Sequence, residues 1–437
     1  MDNPHRLLFL DPGHFHAALT VRTPHPRVAD ELVVYAPDGA ERRDFLALVR
    51  RFPHPWRVGV VTTADPLAAL IAERRGDVVV VAGRNAGKAR AIRRLHEAGF
   101  HVLADKPWLV RAKDLDDIRA SFDGPPFVAE IMTGRHDLAA RALARLVASA
   151  DVFGDFRAVT PALELDSVHH LAKRVDGVPL RRPWWFFDVG VQGSGVVDIP
   201  THLVDRAQWL AGEDAPSELV GARLWPTRVP LDAFRAITGE SQVPPALRAV
   251  VDGDALAYAC NAELDFRVGG VAVRARCGWE VETPPGGGDA SRLIAHGERA
   301  DVRLEQGPRT NHRRRLLVEP RGAPEACARA LRDVVAAWQA DWPGVTVVDR
   351  ADGAYEIAIP AGLDGGHETH FAHVLGDFLE TIDRAETLGG MGGHSGPAHL
   401  QTNRHSGPAR LQPNRRSLTT LAKYALLARA VSATLPA

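Results

Sequence analysis

Apolar and polar positions along the first third of the chain fall into two alternating patterns. "RLLFL" (6–10), "ELVVYA" (31–36), "WRVGVVT" (56–62), "DVVVVAG" (77–83) and "HVLADKP" (101–107) are short apolar runs rich in β-branched residues. Such runs predict strands buried on both faces. Between the last two, "NAGKARAIRRLHEAGF" (85–100) has helical spacing and reaches Gly99 near its end, a helix stop. Strands alternating with helices imply right-handed crossovers and a doubly wound parallel sheet.

Beyond about residue 150 the pattern changes. A Trp-, Pro- and Arg-rich stretch (166–188) leads into the helical run "VVDIPTHLVDRAQWLAG" (196–212). "ALAYACNAELDFRV" (255–268) and "VAVRARCGWEVE" (271–282) alternate with period two and meet at Gly269-Gly270, which predicts antiparallel strands. "APEACARALRDVVAAWQADW" (323–342) reads as a helix and "VTVVDRADGAYEIAIP" (345–360) as a strand pair. "ETHFAHVLGDFLETIDRA" (368–385) and "LTTLAKYALLARAVSATL" (418–435) are amphipathic helices. The expected organisation is a doubly wound α/β domain over 1–130 and an α+β domain with a mostly antiparallel sheet over 131–385. A repeat-bearing insertion follows over 386–417, then a C-terminal helix over 418–437. The insertion holds "HSGPAHLQTNR" (394–404) and, directly after it, "HSGPARLQPNR" (405–415). Its Gly, Pro and polar content disfavours a core, so it is expected to be disordered.

Composition narrows the partners. The chain has 437 residues, 45% hydrophobic and 24% charged, with a formal net charge of -1. There is no global field to attract nucleic acid or an anionic membrane, and no apolar run approaches the roughly 20 residues of a bilayer span. "MDNPHR" lacks the features of a signal peptide. Three widely spaced cysteines argue against a disulfide framework and for a reduced, cytoplasmic setting.

Two places carry chemistry. "DKPW" (105–108) ends the fifth strand, where the ligand crevice of an open α/β sheet lies. Lys106 there is either a crevice residue or an ordinary lysine at a strand end, and Pro107 permits a cis bond at low cost. In "GSGVVDIPTHLVD" (193–205), Asp198 and His202 are four apart and share a face if helical, with Pro200 between them. A carboxylate beside an imidazole suits a general acid/base, or is a helix cap beside a hydrogen-bonded histidine.

With both motifs in this order, the sequence resembles the Gfo/Idh/MocA family of nicotinamide-dependent oxidoreductases, well over residues 5–212 and loosely beyond. "DVVVVAGRNAGKARAIRRLHEAGFHVLADKPW" is similar to that family's fourth strand, helix and fifth strand ending in Lys-Pro. "GSGVVDIPTHLVDRAQWLAG" is similar to its Asp/His helix. "LDPGHFHAAL", "SVHH" and "RPWWFFDV" resemble a subgroup with its own oxidoreductase C-terminal domain, some of whose members oxidise glycosides at a ring hydroxyl. The resemblance implies an N-terminal Rossmann domain. It also implies that Lys106 bonds the cofactor ribose and the substrate hydroxyl, that His202 takes the hydroxyl proton, and that Asp198 positions His202 or the substrate. The implied cofactor is NAD, with NADP open, and the implied substrate is carbohydrate-like; a homo-oligomer is expected.

Against the fingerprint G-x-G-x-x-G, the turn "DPGHFH" (11–16) keeps only Gly13, at the position that lets backbone approach a pyrophosphate. Asp11 and His16 replace the other two glycines; Asp11 is expected to face away, as a helix cap. His14 and His16 can donate to phosphate, with Phe15 between them; two ligands are too few for zinc, and no metal site is expected. Asp38 is the one nearby acid for the adenosine ribose, or a turn residue. Asn85, at the family position lining the nicotinamide, completes the cofactor set with Lys106 and Pro107.

The substrate wall is expected from residues 164–193: His169, His170 and Lys173 as donors, Trp185 beside Trp184 as a flat face, and Asp188 as an acceptor. Core packing accounts for at least two of the four residues in "WWFF" (184–187). "GHETHFAH" (366–373) is not H-E-x-x-H, and His367, His370 and His373 read as a helix N-terminal surface. The alternatives to a dehydrogenase are a redox-assisted glycosidase or lyase with tightly held NAD, and a non-catalytic nucleotide or sugar sensor.

Overall fold

The computed structural model describes residues 4–175, 178–363, 365–391 and 413–435. The five predicted strands are all present: β1 (Leu7–Leu10), β2 (Glu31–Ala36), β3 (Arg57–Thr62), β4 (Val78–Val81) and β5 (His101–Asp105). A sixth, β6 (Val128–Ile131), is added by a run too short for the periodicity to single out. All six pair in parallel in the order β3-β2-β1-β4-β5-β6. The order reverses between β1 and β4 and opens a crevice outside their carboxyl ends, the place where such sheets bind dinucleotides. The helices of this half are α1 (His16–Leu19), α2 (Ala40–Val49), α3 (Pro66–Glu73), α4 (Lys88–Glu97), α5 (Asp114–Ala120) and α6 (Leu138–Val147). Successive strand side chains point to opposite faces. Leu8 and Leu10 therefore enter one core with Ile92 and Leu95 of α4, while Leu7 and Phe9 enter a second with Phe45 of α2.

The second half begins with β7 (Leu163–Ala172) and a small hairpin, β8 (Arg174–Val175) and β9 (Val178–Pro179). Helices α7 (Val189–Gln192) and α8 (Pro200–Ala211) follow, then β10 (Ser217–Pro230), α9 (Leu231–Thr238) and β11 (Val251–Asp252). The remaining strands are β12 (Ala255–Val268), β13 (Val271–Glu282), β14 (Ala290–His296), β15 (Ala300–Gln306) and β16 (Arg315–Pro320), then β17 (Thr346–Asp349) and β18 (Tyr355–Ala358) after α10 (Pro324–Ala337). They form a ten-stranded sheet in the order β10-β12-β13-β7-β14-β15-β16-β18-β17, with β11 beside β12. Every pairing is antiparallel except β13 with β7. The predicted β12–β13 hairpin turns at Gly269, whose φ of 57° suits glycine.

Two helices near the C-terminus return to the first half. The first, α11 (His370–Met391), buries Phe371, Val374, Leu375, Phe378, Leu379 and Ile382 against Leu7, Phe9, Ala17 and Val34. The spacing of those residues is that of one helical stripe. It covers a sheet face beside α1, which has only four residues. The sequence placed this segment in the second domain, yet it packs on the first sheet. The other, α12 (Pro413–Thr434), carries Lys423, which is fully buried and bonds Glu130 of β6 and Asp205 of α8. Its neighbour Tyr424 donates to Glu130 and accepts from the Trp108 N–H at 2.9 Å. Residues 394–412 of the repeat lie outside the described residues; its last three begin α12. Among the described residues, no helix is long and apolar enough to cross a membrane.

Candidate active site

Lys106 follows β5 through a cis Lys106-Pro107 bond and reaches the turn before α8. Its Nζ donates to Asp198 Oδ1 at 2.6 Å and to the Asp198 carbonyl at 3.1 Å. Both side chains are nearly buried, at 10% and 8% exposure. Burial alone would push the Lys106 amine down, but Asp198 outweighs it and the pKa is raised. Burial would likewise push the Asp198 carboxyl up, and Lys106 instead holds it below its ordinary value. The two groups therefore exist as an ammonium–carboxylate pair at neutral pH.

The helix expected through Asp198 starts later. Pro200 takes its first turn, where a missing N–H costs nothing, so Asp198 sits in the preceding turn. Its side chain accepts from Lys106; His202, in the first turn of α8, has Nδ1 3.1 Å from the Met132 sulfur. The expected Asp198–His202 contact is thus replaced by Asp198–Lys106. Burial and then the Lys106 charge hold His202 well below its ordinary pKa, so its ring is neutral at pH 7. Gly195 is needed to bring this turn in: a Cβ there would lie 2.4 Å from the Cys260 carbonyl carbon.

The turn after β1 follows the fingerprint in outline. Asp11 has a φ of 40°, a conformation that glycine usually supplies and aspartate tolerates. It does not cap α1, whose first turn has no side-chain cap. The N–H groups of Gly13 and His14 both donate to the Ala82 carbonyl, at 3.1 and 3.0 Å, so they are spent within the protein. Phe15 is 49% exposed at the mouth. His14 and His16 each turn Nδ1 towards Asp105 Oδ2, at 3.2 and 3.0 Å. Burial lowers the His16 pKa to about 4, against the pull of Asp105, and leaves the ring neutral. Asp38 is exposed and paired to Arg42 and Arg43. Asn85 is buried, donates to the Gln192 carbonyl at 2.7 Å and accepts from Lys88 Nζ at 2.6 Å. It thus ties the crevice floor to α7 instead of presenting a free amide.

The expected substrate wall divides. His169, His170 and Lys173 converge on Asp289, at 3.2, 3.2 and 2.9 Å. Trp185 is not with them: its Nε1 donates to Glu41 Oε1 of α2 at 3.1 Å, and Arg84 lies over its ring. Its indole N–H finds its acceptor on the nucleotide side of the crevice. Asp188 caps α7 through the Gly190 N–H at 2.8 Å, which occupies the oxygen expected to face substrate. Phe186 and Phe187 are core, as the packing reading expects. The histidines of residues 367–373 do not form a plain surface, since His370 is buried and the ring of Phe371 packs 4.6 Å from that of His16.

Several residues escaped the sequence reading. Asp105 lies inside the "DKPW" motif but received no role. Lys88, 2% exposed, bonds Asn85 and the Asp105 carbonyl, and burial lowers its amine to about 8. Asp289 sits in a loop with no motif, and Arg182, which opens "RPWWFFDV", donates to the Leu171 and His170 carbonyls at 2.8 and 3.0 Å. Only the lysine in "NAGK" had a legible signal, as a charge on the inward side of an otherwise amphipathic helix.

Comparison with known proteins bears on the family and the fold. Residues 143–388 match the family described as "Putative oxidoreductase C terminal domain". The crystal structure of a putative oxidoreductase from Parabacteroides merdae ATCC 43184 is 31% identical over 99% of this chain and 98% of that one, with a TM-score of 0.88. KijD10, a 3-ketoreductase from Actinomadura kijaniata solved with NADP and TDP-benzene, is 14% identical over 99% and 98%, with a TM-score of 0.57. A levoglucosan dehydrogenase solved with NADH and levoglucosan is 16% identical over 88% and 90%, with a TM-score of 0.56. At such identities the last two show a shared fold. No curated protein matches the chain.

Proposed function

The chain belongs to the Gfo/Idh/MocA-type oxidoreductases that carry this C-terminal domain, and on that premise we propose that it interconverts a ring hydroxyl and a ketone on a sugar, glycoside or polyol. The Lys106–Asp198 pair, beside a neutral His202 at the end of the crevice, is the observation that carries this reading. The similar folds solved with NADP and TDP-benzene, and with NADH and levoglucosan, support it.

The crevice between the ends of β1 and β4 fits a nicotinamide dinucleotide, with Gly13, Phe15 and Arg84 around its mouth. Such a cofactor supplies the hydride acceptor or donor when bound. The chain does the rest. The Lys106 ammonium, kept charged by Asp198, steadies negative charge growing on the substrate oxygen. Neutral His202 accepts the hydroxyl proton, or in its protonated form returns one during reduction. Burial of all three side chains keeps water from weakening these interactions. Lys173 and the two histidines around Asp289 offer polar contacts for the further hydroxyls of a polyol.

The test begins by denaturing the purified protein and looking for released NAD(H) or NADP(H), then titrating the stripped protein with each. Oxidation of a glycoside panel follows, read as NAD(P)H formation. His202→Ala is expected to retain nucleotide binding and lose about 100-fold or more in turnover. Failure of both nucleotides to bind, or full turnover in the variant, would overturn the assignment.

A further inference from the structure

We propose that His14, His16 and Asp105 form a binding site for a borderline divalent metal ion such as zinc, at the mouth of the crevice. The sequence supplied two ligands in the turn after β1; the fold brings a third from the end of β5, 89 residues beyond His16. The atoms concerned, two imidazole Nδ1 and one carboxylate Oδ2, lie within 4.8 Å of one another. The two nitrogen–oxygen separations are 3.2 Å from His14 and 3.0 Å from His16. Bonds of about 2.0–2.1 Å in a tetrahedral site place neighbouring ligand atoms roughly 3.3 Å apart, which both nitrogen–oxygen separations match.

Hydrogen bonding accounts for only part of the arrangement. His16 Nδ1 makes a hydrogen bond to Asp105, but His14 Nδ1 is buried and makes none despite its approach to the same oxygen. The two rings stand 4.0 Å apart and nearly perpendicular, at 85°, which lets both nitrogen lone pairs converge without the rings colliding. Lys106 is close, but its charge is matched by Asp198, which leaves the Asp105 carboxylate to balance the ion. Two imidazoles and one carboxylate suit zinc or another first-row divalent ion, and three protein ligands leave a coordination position open. His14 is 35% exposed, so the site is reachable from solvent.

This inference does not rest on the nicotinamide reading, because metal binding is measured without nucleotide. The full-length protein is stripped with a chelator, dialysed and titrated with Co(II), and the visible ligand-field absorption is followed. The expected result is one tightly bound cobalt per chain with the intensity of a four- or five-coordinate site. His14→Ala, at the most exposed of the three positions, and Asp105→Asn are each expected to weaken that binding by about 100-fold or more. Far-UV circular dichroism confirms that His14→Ala folds, and its result is decisive if Asp105→Asn does not. Absence of a saturable band, or the same titration in a folded His14→Ala variant, would overturn the proposal.

Discussion

The Lys106–Asp198 pair can be separated into its structural and chemical parts by a double-mutant cycle. Removing either partner leaves the other charge nearly buried, since neither side chain is more than 10% exposed. Such a break costs about 3–5 kcal/mol, whereas replacing both partners by apolar groups of similar size is often neutral or stabilising. Lys106→Met and Asp198→Leu should therefore each lower the unfolding free energy in urea by about 3–5 kcal/mol. The double variant should lose less than either, a coupling of about 3 kcal/mol or more. A second signature follows in Lys106→Met. With its partner gone, burial raises the Asp198 carboxyl above its unfolded value. That group then contributes stability at low pH that is lost as pH rises through its folded pKa, so mild acid should partly rescue this variant. Turnover should behave differently: it should fall by about 100-fold or more in all three variants and should not return in the double. Additive stability losses, or single losses below about 1 kcal/mol, would refute the claim that the two charges neutralise each other in a dry site.

Two further outcomes are expected. Lys423→Met takes the buried cation from Glu130, while Asp205 keeps Arg135 at 2.8 Å, and should cost about 3–5 kcal/mol in urea unfolding; a loss under about 1 kcal/mol would show that α12 is not held by this ion pair. His101 accepts the Phe127 N–H at Nδ1, and burial lowers its pKa to about 4 from the ordinary 6.5. The unfolded chain takes up that proton first, so stability should fall between about pH 6.5 and pH 4 by up to about 3 kcal/mol. His101→Gln should flatten that interval relative to wild type; an unchanged slope would show that the ring titrates normally in the folded chain.

The parallel sheet was legible because runs such as "VVVV" (78–81) have no polar side to turn outward, and only a strand covered on both faces accommodates them. Lys106, Asp198 and His202 were legible as motifs, but their pairing was not. Pro200 delays α8 by a turn, and that one shift hands Asp198 to Lys106. Trp185 and Asp188 show the same limit. Their residue types suit a sugar wall, yet an indole N–H and a helix start each require a partner, and the nearest ones lay elsewhere. Asp105 could not be assigned because its partners are distant in sequence and meet it only through strand order. For α11, the apolar stripe announced that a face is buried without saying against what.

That stripe bears on the order in which the protein is made. The strands β1, β2 and β4 leave the ribosome early, yet one of their faces waits for Phe371, Phe378 and Ile382. Until the segment beginning at residue 370 has been synthesised, the N-terminal half holds an apolar face open to water and to other nascent chains. A chain interrupted before that point is therefore expected to be a target for chaperones and proteases, and it would not yield a usable nucleotide-binding fragment. Maturation of the crevice in this sense waits for a helix far downstream of the strands that it covers.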